Sequence, residues 1–257
     1  MDIIDFHTHP FLDEKTNICQ HKSYFEMTSL ETLQYMKNIG INQICGSVIA
    51  EWNDGIGFQN IIEINNTALK LKEIYGDFYI PGMVVSPDYP EESLAEIERM
   101  HKLGINLIGE LVPRILGGWN SYNTKEFSEI FDLAAQYDMV VSIHNCDNED
   151  MEAAVKNNKA VTFVIAHPGE YPVYMRHIER MKKYENYYLD LSGTGLFRHG
   201  MLRRGIDECG VDRFLFGSDY PTCNPAMFVG GVLNDSIITD DEKEAVLSKN
   251  AKRLLKL

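Results

Sequence analysis

Eight short apolar runs recur along the chain, separated by stretches with helical periodicity. This alternation constrains the fold more than any single motif does. The runs are Ile3–Phe6, Ile41–Ile49, Phe78–Val85, Ile105–Val112, Met139–His144, Val161–Ala166, Tyr187–Leu191 and Phe214–Phe216. They are rich in Val, Ile, Phe and Tyr, as strands are. Amphipathic segments lie at Thr28–Ile39, Asn60–Tyr75, Pro90–Leu103, Thr124–Tyr137, Asn148–Asn157, Pro172–Tyr184, Met201–Cys209 and Asp240–Leu257. Local chemistry marks several boundaries. Thr28 can cap a helix while Glu31 reaches back to it. Pro90 followed by two glutamates suits a helix N-terminus. Gly40, Gly76 and Gly104 stand where helices must stop. Pro81 and Gly82 mark a bulge in the third run.

Strand–helix units in unbroken alternation call for a parallel sheet flanked by helices. Eight such units in 257 residues fit an α/β fold of the (β/α)8 TIM-barrel type, a single domain spanning residues 1–257. An open doubly wound sheet is the competing arrangement. Its dinucleotide-binding version lacks support, because no G-x-G-x-x-G follows an early strand.

The ends of the runs carry the chemistry. His7 and His9 close the first, and Glu110 lies near the end of the fourth. His144 ends the fifth, His167 follows the sixth, and Asp219 follows the eighth. The remaining histidines, His21, His101, His177 and His199, fall in helices or loops. In a barrel the C-terminal strand ends form one rim, so residues distant in sequence would meet there. Strand alternation would also turn Asp5 to the same side as His7 and His9. Imidazole nitrogens and carboxylate oxygens together suit a divalent metal, Zn²⁺ first, with Mn²⁺ or Fe²⁺ as alternatives.

Composition removes several classes. The formal net charge is −14, so no broad basic surface exists to neutralise phosphates and a nucleic-acid partner is disfavoured. No apolar stretch approaches membrane-spanning length and no basic-then-apolar leader is apparent, so a cytoplasmic protein is expected. The five cysteines are odd in number and contain no C-x-x-C, which argues against a disulfide framework or a cysteine zinc cluster. A small-molecule substrate remains as the expected partner.

Asp5-Phe6-His7-Thr8-His9, His144, His167 and Gly217-Ser218-Asp219-Tyr220-Pro221 together resemble the amidohydrolase superfamily of metal-dependent barrels. The G-S-D-x-P stretch and the His-Pro-Gly after the sixth run are most similar to the branch containing aminocarboxymuconate-semialdehyde decarboxylase and related lactonases and hydrolases. The resemblance implies the barrel, a divalent metal and a homodimer in some members. It implies a mononuclear site of His7, His9, His144 and Asp219, with His167 beside it. Gly109-Glu110 departs from that branch and is similar to the TatD-type nucleases, where a carboxylate bridges two ions. A binuclear site would add Glu110 and His167 as ligands; the flanking motifs favour one ion over two.

The implied reaction is hydrolysis of a small ester, lactone or amide by water that a metal acidifies to a pKa of about 7. Asp219 would act as general base and then acid, and His167 would hold the water or polarise a carbonyl. Non-oxidative decarboxylation of a small carboxylated substrate is the first alternative, and a TatD-like phosphodiesterase the second. Arg114 and Arg198, in loops after the fourth and seventh runs, could clamp a carboxylate. Ser192 and Thr194, after the seventh run, could line the pocket. The loops at 116–122, with Trp119, and 51–58, with Trp52, pair glycines with aromatics and could close over substrate.

Overall fold

Backbone hydrogen bonds turn the eight apolar runs into eight parallel strands. The computed structural model describes residues 1–19, 27–50, 56–146, 149–195 and 198–257. The strands are β1 (Ile4–Asp5), β2 (Gln43–Gly46), β3 (Tyr79–Pro81), β4 (Leu107–Leu111), β5 (Val140–His144), β6 (Thr162–Ala166), β7 (Tyr187–Asp190) and β8 (Phe214–Leu215). They pair in chain order within two groups, β1 to β3 and β4 to β8. Two seams join the groups. Between β3 and β4, Met83 N donates to Leu107 O at 2.9 Å and Gly109 N to Met83 O at 2.7 Å. Between β8 and β1, Phe6 N donates to Phe216 O at 2.8 Å, Asp219 N to His7 O at 2.8 Å and His9 N to Tyr220 O at 2.7 Å. The strands therefore form a closed ring, the barrel that the alternation predicts.

Alternating strand residues fill the ring: Ile4, Phe6, Cys45, Leu107, Val140, Val164 and Leu215 form one buried cluster. A larger apolar layer lies between strands and helices, as the pattern of near-continuous apolar strands requires. The helices are α1 (Ser29–Asn38), α2 (Phe58–Tyr75), α3 (Pro90–Lys102), α4 (Lys125–Gln136), α5 (Glu149–Asn157), α6 (Tyr171–Lys183), α7 (Met201–Cys209), α8 (Pro225–Leu233), α9 (Asp240–Glu244) and α10 (Asn250–Leu255). Thr28 caps α1 in the box anticipated from its spacing to Glu31. Asn148, the expected start of α5, lies outside the described residues.

Two elements differ from expectation. Helix α8 has no amphipathic stripe, because Pro-Ala-Met-Phe-Val-Gly-Gly-Val-Leu is apolar on nearly every side. The expected continuous helix from Asp240 is interrupted by a π-helical turn over Ala245–Lys249.

Thr124 caps α4, its hydroxyl accepting from Phe127 N at 3.2 Å. Thr124→Ala should lower stability by about 1 kcal/mol in equilibrium denaturant unfolding, since it strips an orphan helix N–H of its acceptor.

Candidate metal centre

The four histidines and two carboxylates at the strand ends meet at the C-terminal rim. Local features place them. Thr8, between His7 and His9, is pinned to β2, with its N and Oγ1 donating to Cys45 O at 2.9 and 2.8 Å. On the other side of β1, Asp5 accepts from Ser218 N at 2.9 Å and Ser218 Oγ at 2.6 Å, which fixes the residue before Asp219. His167 and Asp219 adopt left-handed backbone conformations, at φ 70° and 64°, so each turns sharply just past its strand. Non-glycine residues hold such conformations only where surrounding structure imposes them.

Four ligand atoms converge at the floor of this rim. His7 Nε2 lies 3.1 Å from His9 Nε2, and each is 3.4 Å from Glu110 Oε2. Asp219 Oδ1 is 3.7 Å from the first nitrogen and 3.5 Å from the second. A tetrahedral ion with bonds of about 2.0–2.1 Å holds its ligand atoms about 3.3 Å apart. The His7, His9 and Glu110 atoms, 3.1–3.4 Å apart, fit three corners of that shape, and Asp219 Oδ1 stands 3.5–3.7 Å from the two nitrogens. The hydrogen-bond network also assigns the ring tautomers. His9 Nδ1 lies 3.0 Å from the carbonyl of Ser47, which can only accept, so Nδ1 carries the proton. His7 Nδ1 lies 2.8 Å from Asp190 Oδ2 and donates to it. Both rings thus turn Nε2 toward two carboxylate oxygens. Nitrogens and carboxylate oxygens grouped in this way could hold a cation.

The other oxygen of Glu110 serves a second group. Its Oε1 lies 2.9 Å from His144 Nδ1 and 3.4 Å from His167 Nε2. The six residues also form a gradient of exposure. His7, His9 and Glu110 are at most 4% exposed, while the side chains of His167 and His144 reach 16% and 39%. The cluster is therefore most open on the His144 side.

The pKa shifts follow from this crowding. Burial alone would lower that of His7, but the charges of Asp190 and Glu110 outweigh it and raise it well above the ordinary value. Burial opposes ionisation of Glu110 as well, yet His7, His144 and His167 hold its pKa well below the usual carboxylate range. Asp219 differs: burial raises its pKa, and the neighbouring histidines only partly offset this. It is the carboxyl of the cluster best suited to carry a proton at times. Asp5 is pushed up to about 7 by burial.

Several expectations change. Asp5 does not join the imidazoles: β1 spans only two residues, so strict alternation does not extend to His9, and its carboxylate braces Ser218. Trp119 packs within its own loop and against α4. It is 7% exposed and packs on Tyr122 and Phe127, with ring centroids 5.3 and 4.9 Å away. Its loop instead braces strand ends, because the Tyr122 hydroxyl reaches the carbonyls of Leu111 at 2.7 Å and His144 at 3.1 Å. Arg198 is exposed and ion-paired with Glu170. Arg114 is exposed in the loop after β4, near enough to Cys146 for its charge to act on the thiol. Trp52 lies outside the described residues. Asp190 is an unanticipated member of the site. Its signal is faint, one acid inside the apolar run Tyr-Tyr-Leu-Asp-Leu. Ser192 lies against His7 and His167, with its Oγ 3.0 Å from each Nδ1.

Comparison with known proteins bears on the family and the fold. The family model described as amidohydrolase matches residues 4–257. No curated protein matches in sequence. Among solved structures, 2,6-dihydroxybenzoate decarboxylase from Rhizobium superimposes with a TM-score of 0.75 at 18% identity, covering 100% of this chain and 99% of that one. For 5-carboxyvanillate decarboxylase from Sphingomonas paucimobilis the TM-score is 0.73 at 16% identity, covering 100% and 99%. Dihydroxybenzoic acid decarboxylase from Polaromonas sp. JS666, solved with manganese and 2-nitroresorcinol, gives 0.72 at 17% identity, covering 100% and 97%. At these identities the likeness is one of fold. No helix among the described residues is long and apolar enough to cross a membrane.

Proposed function

The chain belongs to the amidohydrolase family, and from that premise we propose that it is a divalent-metal-dependent hydrolase of small esters, lactones or amides. The observation that carries this reading is the convergence of four lone-pair donors at 3.1–3.7 Å, with ring tautomers set by Ser47 and Asp190. His7, His9, Glu110 and Asp219 would hold one ion. Glu110 Oε1, His144 and His167 form the place where a second could sit. The mixed nitrogen and oxygen set suits Zn²⁺ or Mn²⁺. A bound ion would supply Lewis acidity, polarising a substrate carbonyl and lowering the pKa of water.

The chain's own groups do the rest. Asp219, the least buried of the floor residues and the floor carboxyl with a raised pKa, accepts the proton of the attacking water and returns it to the leaving group. His167 and His144, at the open side, orient the substrate carbonyl by hydrogen bonds. The buried floor keeps bulk water away and strengthens each of these interactions.

Metal content of protein purified without chelator tests the reading. The expected result is about one Zn or Mn per chain, or more, by elemental mass spectrometry. No metal after incubation with excess Zn²⁺ and Mn²⁺ would overturn it. Because Glu110 offers one oxygen to each group, Glu110→Gln should cut metal content by at least half; unchanged content would remove Glu110 from the ligand set.

Decarboxylation of a small carboxylated substrate is the second reading. What favours it is the likeness to decarboxylases over the whole chain. Here Asp219 in its protonated form would deliver a proton to carbon as carbon dioxide departs. Release of carbon dioxide from 2,6-dihydroxybenzoate or 5-carboxyvanillate, with no turnover of lactone and ester panels, would select it over hydrolysis.

A further inference from the structure

A histidine can offer a lone pair to a metal only if its proton sits on the other nitrogen. For His9 the Ser47 carbonyl settles the matter. For His7 and His167 it falls to two residues outside the ligand cluster. Asp190 ends β7 and is wholly buried. Its Oδ2 accepts from His7 Nδ1 at 2.8 Å. Its Oδ1 accepts from Ser192 N at 2.9 Å, from His167 N at 3.3 Å, and from the Ser192 hydroxyl. Ser192 Oγ in turn lies 3.0 Å from His167 Nδ1. Gly193 leaves room for this contact, since a Cβ there would come within 2.5 Å of His167 Nδ1.

The hydroxyl of Ser192 has one proton to give. If it goes to Asp190, the two lone pairs of Oγ are left for the Nδ1 atoms of His7 and His167, each 3.0 Å away, and are both used when His167 carries its proton on Nδ1. Its Nε2 then presents a lone pair 3.4 Å from Glu110 Oε1, an arrangement that invites a cation. If the proton goes to His167 instead, Nε2 becomes a donor to Glu110 and the ring cannot ligate. The short bond to the Asp190 carboxylate favours the first state, because a charged acceptor competes better than a neutral ring.

We propose that Asp190 and Ser192 are a pair of positioning residues that fixes the tautomers of His7 and His167, keeping both Nε2 lone pairs turned into the cluster. The pair acts through the two imidazole rings, which its atoms meet at 2.8–3.0 Å. Groups behind a metal-binding histidine typically change metal affinity by about 10- to 100-fold when altered. The inference rests on the metal reading above, and its test separates the two.

Zn²⁺ affinity is measured by competition with a chromophoric chelator on the full chain and on Asp190→Asn, Ser192→Ala and Ser192→Thr. The protonated ring nitrogens are read by ¹⁵N NMR of histidine-labelled protein. Asp190→Asn and Ser192→Ala should each weaken Zn²⁺ binding by about 10- to 100-fold. Ser192→Ala should also move the His167 ring proton from Nδ1 to Nε2, and Ser192→Thr, which keeps the hydroxyl, should restore both readouts. If the wild-type chain binds no Zn²⁺, the metal reading falls and this one with it. If wild type binds and both disrupted variants bind equally tightly with unchanged ring signals, the positioning role alone is wrong. Should Asp190→Asn fail to fold, the contrast between Ser192→Ala and Ser192→Thr decides.

Discussion

Asp219→Asn is expected to lower kcat by about 10³-fold, within the 10²–10⁴ range for loss of a positioned acid–base group. The substitution keeps size and shape but removes the ability to take a proton. Asp219 Oδ1 faces only the Nε2 atoms of His7 and His9 among the ion pairs of the described residues, so the fold should persist. An amide is also a poorer ligand than a carboxylate, so metal content must be measured beside turnover. At matched occupancy the loss in kcat should remain. A variant within tenfold of wild type under that condition would take the proton-transfer role away from Asp219.

The largest effect on stability is expected at Gly46. It ends β2 at φ 138°, and a Cβ built there would lie 2.0 Å from the carbonyl oxygen of Thr8. Such an approach is impossible without moving backbone. The backbone in question is the segment that carries His7 and His9. Gly46 is tied in further by its own carbonyl, which accepts from Gly82 N at 2.8 Å and from the Tyr79 hydroxyl at 2.8 Å. Gly46→Ala should therefore cost about 4 kcal/mol or more, the range reserved for backbone conflict in a core. In a chain of this size that is roughly a 10 °C fall in Tm. Thermal unfolding by circular dichroism measures it, and metal content should fall in parallel as the two imidazoles shift. A Tm within 2–3 °C of wild type would mean that the two strands can separate at little cost.

The ring of strands and the six ionisable rim residues are legible in the sequence because both depend on the same local signal. An apolar run that stops at an imidazole or carboxylate says where a strand ends and what stands there. Asp190 is hidden for the converse reason. It sits inside a run that reads as buried strand, and nothing local reveals that the rings of His7 and His167 approach from other strands. Trp119 misleads because a glycine-flanked aromatic reads equally well as a lid or as a wedge. Only the neighbouring rings of Tyr122 and Phe127 decide for the wedge. Helix α8 escapes periodicity because an element apolar on nearly every side has no stripe to detect. The tautomers are a further step removed, since they depend on the Ser47 carbonyl and the Asp190 carboxylate.

The seam between the first strand and the last has a consequence for the life of the chain. Asp5 and Ser218, which hold it together, are 213 residues apart. A ribosome emits the second of the two histidines 210 residues before Asp219. Until the last units emerge, the early imidazoles belong to no finished cage and can hold an ion only loosely. Tight loading then becomes a late event, coupled to ring closure rather than to synthesis of the ligands themselves. Contacts this remote make closure slow, since the loop entropy must be overcome before any of them forms. Newly made protein would thus spend an interval folded in part and empty of metal, and cellular metal supply during that interval would govern how much of it becomes active.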